Sequence, residues 1–182
     1  MIITTKKHAF FMKEWPSNFW AAQFDWDWCG VSGQYRKFFC TEQAFMFAKA
    51  QYFGDLGTAE EIMKVTDPWK AKHLGRQVKP YDDFKWSQVR FDYMYSCNLA
   101  KYSQNNYLYQ WLLNPQYDGL TWVELSLDRI WGCGMSQSTH SIEDFDDETS
   151  WTGQNLMGKV ITKVRKTLVD YNRKIAACCR SY

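Results

Sequence analysis

Residues 41–50 read TEQAFMFAKA, a run of helix-forming residues that begins with a threonine and a glutamate. Thr41 is a suitable N-cap and Gly54 ends the run, so the sequence predicts a helix between them. Helical spacing places four residues of this segment on one face: Glu42, Phe45, Met46 and Lys49. The carboxylate of Glu42 therefore stands in the first turn, beside an aromatic and apolar surface.

Two opposing effects act on the carboxyl group of Glu42. The helix N-terminus favours its ionised form by up to about 1 kcal/mol, whereas nearby apolar surface favours the neutral form. A carboxylate in such surroundings suits a general base, or a group that stabilises a positively charged transition state. The alternative is a glutamate that only complements the helix dipole.

The flanking sequence predicts short strands before this helix and several helices after it. Residues 1–40 are rich in aromatic residues, glycine and short alternating runs, which is typical of small strands or hairpins. Helical patterns then follow at 58–65, with Thr58 as cap, and in 68–78, where the helix should end near Gly75. Two more follow at 82–104 and 105–114, before an alternating, strand-like segment at 120–127.

The last helix is expected from about Gln154 into the 170s. Its core stripe would consist of Leu156, Val160, Val164 and Leu168. We therefore expect a mainly helical α+β fold, with small N-terminal strands or hairpins and a long C-terminal helix. A chain of 182 residues fits a single compact domain spanning residues 1–182.

Composition narrows the function. Aromatic residues make up 18% of the chain and include ten Trp, which offers many flat surfaces for a planar ligand. The net charge of +2 disfavours broad binding to a nucleic-acid backbone, so any such contact should be local. No signal peptide or long apolar run is visible, and the six cysteines show no metal-ligand spacing. We expect a cytoplasmic protein with reduced thiols and no metal or other cofactor.

Three further segments carry candidate site residues. Glu124 and Asp128 share a face of VELSLDRIWGCG (123–134), where Trp131 enters a Gly-x-Gly turn that lets backbone approach a ligand. In WTGQNLMG (151–158), Gly153 and Asn155 precede a helix whose first N–H groups can hold a phosphate or a ribose hydroxyl. A basic cluster in KAKHLGRQVK (70–79) can hold an anion. The alternatives are a strand ending in a tight turn with a core Trp, a plain helix start and a solvated basic face.

Taken together, these segments resemble the NADAR family, also called the YbiA-like family. Six motifs occur in order: PSNFW (16–20), TEQAFMFAKA (41–50), KAKHLGRQV (70–78), LAKYSQN (99–105), VELSLDRIWGCG (123–134) and WTGQNLMGKVITKVR (151–165). Two departures are Pro16, which replaces a larger apolar residue, and Gln43, which stands where many members have His. Tyr102 also replaces the Phe of the Lys-Phe-x-Gln-Asn motif.

The resemblance implies an N-glycosidase that cleaves the bond between ribose C1 and an amino nitrogen of a planar base. It implies two substrate classes: ADP-ribose attached to guanine, and early ribosylamino-pyrimidine phosphates of riboflavin synthesis. The absence of a fused riboflavin-pathway domain slightly favours the first class. The resemblance leaves two forms of the guanine open, a free nucleotide and a single exposed base in nucleic acid; no membrane and no obligate protein partner is implied. A non-catalytic module that binds ADP-ribose or a nucleotide is the alternative of another class.

The resemblance also assigns roles to residues. Glu42 stabilises the cationic sugar and activates water, and Asp128 orients a sugar hydroxyl. The substrate-binding residues are expected to be Ser17, Asn18, Phe19, Lys49, Lys72, Arg76, Trp131, Gly132 and Asn155. Among these, Trp131 would stack on the base, and the lysines and Arg76 would meet phosphate oxygens.

The polar, acidic segment 136–150 is the last feature with a functional interpretation. It lies between two motifs assigned to the pocket, so it suits a mobile lid that closes Ile142 and Phe145 over the bound base. Asp144, Asp146 and Asp147 would keep the open lid solvated. The alternative is an idle surface insertion.

Overall fold

The structure is a computed structural model, and it describes residues 2–30 and 34–179. The strands are β1 Ile3–Thr4, β2 His8–Phe11, β3 Phe24–Asp27, β4 Tyr35–Phe38 and β5 Thr121–Glu124. The helices are α1 Thr41–Tyr52, α2 Leu56–Met63, α3 Pro68–Gly75, α4 Asp83–Gln104, α5 Asn106–Leu112, α6 Ile142–Asp146 and α7 Leu156–Cys179. Short 3-10 helices lie at Pro115–Tyr117 and Glu148–Ser150. The mainly helical α+β class predicted from the sequence is confirmed.

The chain forms two compact units. The central unit consists of residues 18–106, and the terminal unit combines residues 1–17 with residues 107–182. The prediction of one domain over the whole chain stays a prediction.

The central unit is organised around α1. Eight of its twelve residues are buried, and α2, α3 and α4 all pack against it. Burial on nearly every side explains why the apolar residues of this helix are not confined to a single face. The antiparallel hairpin of β3 and β4 completes the unit, with Phe24 opposite Phe38.

The helix boundaries of the central unit differ from the predicted ones by one to three residues. Thr41 is the first residue of α1 instead of its cap, and Cys40 occupies the N-cap position without a side-chain hydrogen bond. The cap of α2 is Asp55, whose carboxylate accepts from the N–H of Thr58 at 3.1 Å. The predicted cap Thr58 therefore lies inside the first turn, because the Asp side chain competes successfully for that N–H.

The terminal unit contains a three-stranded sheet in the order β1-β2-β5. Strand β2 pairs antiparallel with β1 and parallel with β5, with Phe10 opposite Val123. All four residues of β2 are buried, as expected for a central strand covered on both faces. Helix α7 packs on β5, and three residues of its predicted stripe are buried: Val160, Val164 and Leu168.

Segment 136–150 is structured, which corrects the lid interpretation. Phe145 is buried in a core cluster of the terminal unit that also contains Phe10, Val123, Leu125, Cys133 and Met135. Ile142 packs against the same cluster. A lid needs apolar side chains that are exposed when it is open, whereas Phe145 already fills the core.

Polar contacts hold the same segment in place. The buried ring of His8 contacts Asp146 through Nδ1 at 2.7 Å and Glu148 through Nε2 at 3.0 Å. Asp146 also accepts a hydrogen bond from the Thr5 hydroxyl. Asp146 therefore anchors the segment to β2 instead of keeping it solvated. Among the described residues, no helix combines the length and apolar character needed to span a membrane.

Candidate active site

Glu42 lies at the second position of α1, as the sequence predicts, and its side chain is nearly inaccessible. Only 4% of the residue is exposed. Its backbone N–H donates to the carbonyl of Asn18 at 3.0 Å, which ties the Ser-Asn-Phe segment to the start of the helix. A buried carboxyl group is costly unless polar or charged groups surround it. The surroundings of Glu42 therefore decide whether it can act chemically.

A buried lysine that the sequence analysis missed lies in the same unit. Lys101 is on α4 and fully buried. Burial lowers its pKa to about 7, against the opposing influence of Cys40 and Cys97. A lysine with this pKa is present in both protonation states near neutral pH, which suits proton transfer.

Lys101 and Glu42 both influence the pKa values of two buried cysteines, Cys40 and Cys97. Burial raises the pKa of Cys40 to about 11; Glu42 raises it further and Lys101 lowers it. The pKa of Cys97 is raised as well, mainly by burial, with Lys101 and Glu42 again acting in opposite directions. The carboxyl group and the amine thus act on the same two thiols. They belong to one buried polar region formed by α1 and α4.

Three neutral side chains of the central unit add unpaired acceptors. Within residues 2–30 and 34–179, no hydrogen-bond partner is found for Oδ1 of Asn18, Oγ1 of Thr41 or Oδ1 of Asn98. All three residues are buried, and Asn18 is 7% exposed. A buried polar atom without a partner costs roughly 1–3 kcal/mol. Such atoms are typical of sites that receive a water or a ligand.

Gln43 has a structural role beside Glu42. Its Oε1 accepts from the N–H of Phe39 at 2.7 Å, and its Nε2 donates to the carbonyls of Ile62 and Val65. The side chain thereby links α1 to the end of α2. It is committed to backbone groups on both sides.

A second group of predicted residues lies around α3. The Phe19 ring is 4.7 Å from that of Trp69, and the ammonium of Lys72 lies 5.3 Å from the Phe19 ring centre. Phe19 and Lys72 are thus brought together as predicted. Trp69 is a third member that the sequence analysis did not select. Its only sequence signal is a tryptophan near the N-terminus of a basic helix.

Lys49 and Arg76 also belong to this region. The ammonium of Lys49 donates to the carbonyl of Gly75 at 2.9 Å and lies 4.1 Å from the ring centre of Tyr81. Burial lowers the pKa of Lys49; Asp83 opposes this effect and Arg76 adds to it. The two cations therefore influence each other at the C-terminal end of α3, as expected for an anion-binding cluster.

The close approach of α3 to α1 depends on a glycine. A Cβ at Gly75 would lie 2.7 Å from Cγ and 2.9 Å from Cβ of Met46, and closer still to its sulfur. No side chain larger than hydrogen fits at this helix contact. Gly75 thereby lets the basic helix pack directly on the helix that carries Glu42.

The predicted residues of the terminal unit have structural tasks. Oδ1 of Asp128 accepts from the N–H groups of Ile130 at 2.8 Å and Trp131 at 2.9 Å, so its side chain forms a turn. The exposed Asp128 carboxylate thus holds the backbone of Trp131, whose side chain is half-buried. A Cβ at Gly132 would lie 2.9 Å from the carbonyl oxygen of Ser126. Gly132 is therefore needed for packing inside this turn.

Asn155 connects the start of α7 to β5. Its Oδ1 accepts from the N–H of Glu124 at 3.0 Å, and its Nδ2 donates to the carbonyl of Trp122 at 3.0 Å. Its φ of 50° is in the left-handed region, which asparagine tolerates better than most residues. This side chain is fully buried and bonded at both ends of its amide, which gives it a positioning role; its predicted contact with the substrate stays a prediction.

The N-terminus of α7 is also unavailable to an anion. The N–H groups of Asn155, Leu156 and Met157 donate to the carbonyls of Gly132, Ile130 and Trp131. The predicted phosphate or ribose site at this helix start is therefore replaced by a backbone contact with the Trp-Gly turn. Ser17 in this unit is buried, and its N–H donates to the carbonyl of Glu14 at 2.8 Å.

Within the described part of the chain, no group of three or more His, Cys, Asp or Glu residues is arranged to hold a metal ion. The six cysteines are free thiols.

Comparison with known proteins shows where this architecture occurs. The chain is 41% identical over 135 residues to Protein irg-1 of Caenorhabditis elegans, covering 72% of this chain but only 61% of that protein. It is 36% identical over 135 residues to N-glycosidase R617 of Acanthamoeba polyphaga mimivirus, covering 73% and 76% of the two chains. The NMR structure of Escherichia coli YbiA matches with a TM-score of 0.67 at 24% identity, over 94% of this chain and 90% of YbiA. This likeness confirms the YbiA-like fold. The model of the NADAR domain matches residues 5–169, and the chain belongs to the NADAR family.

Proposed function

We propose that the protein is an N-glycosidase that hydrolyses the bond between ribose C1 and an amino nitrogen of a planar base. The observation that carries this proposal is the buried carboxyl group of Glu42 in one region with the titratable amine of Lys101. Family membership and the name of the mimivirus relative, an N-glycosidase, support the same reaction.

The proposed reaction needs a negative charge near C1 and a proton for the departing base. When the C1–N bond breaks, its electron pair goes to the base nitrogen and C1 becomes cationic, as in O-glycoside hydrolysis. Ionised Glu42 stabilises that cation and accepts a proton from the water that attacks C1. Lys101, with a pKa of about 7, supplies the proton to the departing nitrogen.

The neutral polar groups of the central unit orient the sugar in this scheme. Asn18 is the best candidate, because its carbonyl binds the first turn of α1 while its side-chain oxygen is unpaired among the described residues. A ribose hydroxyl that donates to Oδ1 of Asn18 would remove the cost of leaving that atom unpaired. The same argument applies to Asn98.

ADP-ribose attached to guanine is the substrate that we favour. The central unit offers three cations, Lys49, Lys72 and Arg76, and the two linked phosphoryl groups of a pyrophosphate can contact more of them than a single phosphate can. A ribosylamino-pyrimidine phosphate is the second candidate. Its single phosphate would use only part of this cluster.

One experiment separates the two substrates from a purely binding function. The protein is incubated in turn with an ADP-ribosylated guanine nucleoside, an oligonucleotide with the same modified base, and a ribosylamino-pyrimidine phosphate. Base release is followed by chromatography. We expect two products: free ADP-ribose, and the guanine nucleoside or oligonucleotide without its modification. Release from the pyrimidine alone would favour the second substrate, and binding without release of any base would show a binding module.

A further inference from the structure

One short stretch of the central unit is locally basic. Residues 68–80 contain four Lys or Arg residues and no Asp or Glu. The whole chain has 22 basic and 20 acidic residues, so the remainder, with 18 and 20, is net negative. A local cationic surface on an otherwise acidic chain selects compact anionic ligands over long polyanions.

One face of α3 carries an aromatic residue in line with the cations. Trp69, Lys72 and Arg76 are spaced i, i+3 and i+7, so they follow one another along the helix surface. We call these three residues the α3 face. It extends over roughly 10 Å, given a rise of about 1.5 Å per residue.

Trp69 is the most unusual member of the α3 face. The residue is 65% exposed, although tryptophan is usually mostly buried. Its ring leans on Phe19 at an angle of 46°, and the ammonium of Lys72 lies 6.0 Å from its ring centre. The indole is thus supported on one side and accompanied by a cation. A rigid, exposed indole beside a cation is the arrangement that proteins use to stack a nucleobase and hold its phosphate.

We propose that the α3 face binds the nucleoside diphosphate part of the substrate, with a base stacked on Trp69 and phosphate oxygens at Lys72 and Arg76. This inference rests on the proposed function, since ADP-ribose contains such a group. An extended single strand is a poorer fit, because the surface is short and the remainder of the chain is net negative.

The proposal makes Trp69 a residue that determines substrate affinity without taking part in bond cleavage. Trp69→Ala should weaken binding of ADP about tenfold or more, as expected for loss of one base–aromatic stack. Trp69→Phe should restore most of the affinity because it keeps an aromatic face. Lys72→Ala and Arg76→Ala should weaken binding as well, and their effect should shrink at high salt.

The binding test uses ADP as the probe, followed by calorimetry, with Tyr35→Ala as the matched control. Tyr35 is also 65% exposed and lies in the central unit, on β4. We expect wild type and Tyr35→Ala to bind ADP equally, and Trp69→Ala to bind it weakly. Absence of ADP binding by wild type, or equal binding by Trp69→Ala, would overturn the proposal. An unmodified single-stranded oligonucleotide forms the second arm. If Trp69→Ala loses only oligonucleotide binding, the surface serves nucleic acid and the assignment to a nucleoside diphosphate is wrong.

Activity measurements separate this inference from the proposed function. For the ADP-ribosylated substrate, Trp69→Ala should raise KM about tenfold and leave kcat close to the wild-type value. Glu42→Gln should still bind ADP with wild-type affinity. If the protein proves inactive on every substrate but binds ADP through Trp69, the catalytic proposal fails and the α3 face stands.

Discussion

Among the described residues, the buried asparagine of the terminal unit is bonded to backbone at both ends of its amide, whereas the two of the central unit are not. Asn155 bonds at both ends of its amide to β5. In contrast, Asn18 and Asn98 each have a buried oxygen with no partner among the residues described. Satisfied polar groups stabilise a fold, and unsatisfied ones lower its stability. On this comparison we propose that the motifs of the terminal unit set geometry and that those of the central unit hold the reacting groups.

The largest effect is expected at the carboxyl group of Glu42. Glu42→Gln keeps the size of the side chain and removes its charge, so kcat should fall on the order of 10² to 10⁴-fold. The melting temperature should stay close to that of wild type or rise. Glu61→Gln, an exposed change on α2, is the control and should be fully active. Near-normal turnover in Glu42→Gln would remove this residue from the mechanism.

Lys101→Met should lower activity and remove one source of pH dependence from the stability of the fold. The pKa of Lys101 is about 7 when folded, against 10.5 as its ordinary value. Between these values the unfolded chain binds more protons, so wild-type stability rises with pH by up to about 1.4 kcal/mol per unit. Below a pH of about 7, folded Lys101 carries its charge and the full cost of burying that charge is present. The stability of Lys101→Met relative to wild type should therefore be highest in that range.

Melting curves of wild type and Lys101→Met at roughly pH 6 and pH 9 measure this difference. The gain in melting temperature should be clearly larger at the lower pH. Lys85→Met, an exposed change on the same helix, should show no pH-dependent difference. An equal gain for Lys101→Met at both pH values would contradict the lowered pKa.

Asn155→Ala should destabilise the protein by about 2 kcal/mol or more. It leaves a buried N–H of Glu124 and a buried carbonyl of Trp122 without partners, and alanine tolerates a positive φ poorly. Chemical denaturation gives the free energy of unfolding. Asn172→Ala, an exposed change on α7, should cost less than about 1 kcal/mol. If Asn155→Ala unfolds like wild type but raises KM, a substrate contact would be the better assignment.

The smallest effect on stability is expected for Asn18→Ala. It removes an oxygen that has no partner in the described structure and keeps the backbone carbonyl that binds α1. We expect a change of less than about 1 kcal/mol in the free energy of unfolding. In steady-state kinetics, KM for the ADP-ribosylated substrate should rise about tenfold. A large loss of stability with normal KM would place Asn18 among the structural residues and remove the contrast between the two units.

The sequence was sufficient to predict most helices and the place of Glu42. Strong periodicity identified α4 and α7, and glycine or proline marked the ends of α1 and α3. The family motifs also selected Phe19 and Lys72, which the structure brings together.

The failures have physical causes. Lys101 was missed although it follows Met94 and Cys97 on the buried stripe of α4, because lysine is normally read as surface. Phe145 was assigned to a lid because its neighbours are acidic. The sequence does not show that two of those acidic residues, Asp146 and Glu148, contact the buried ring of His8. The bonds of Asn155 to β5 could not be predicted, because a motif asparagine looks the same whether its amide binds a ligand or a strand.

The glycine at position 75 gives the molecule a mechanical property. Its missing methyl group fixes how far the basic helix stands from the helix that carries Glu42, and its carbonyl holds the ammonium of Lys49. One residue thus acts as both spacer and tether. If the phosphate of a ligand binds along α3 while its sugar reacts near α1, the distance between the two sites depends on the close contact of Gly75 with Met46. Replacing Gly75 with alanine would push the basic helix away from α1. A ligand held by its phosphate along α3 would then lie at a different distance from Glu42, although no reacting group had been removed.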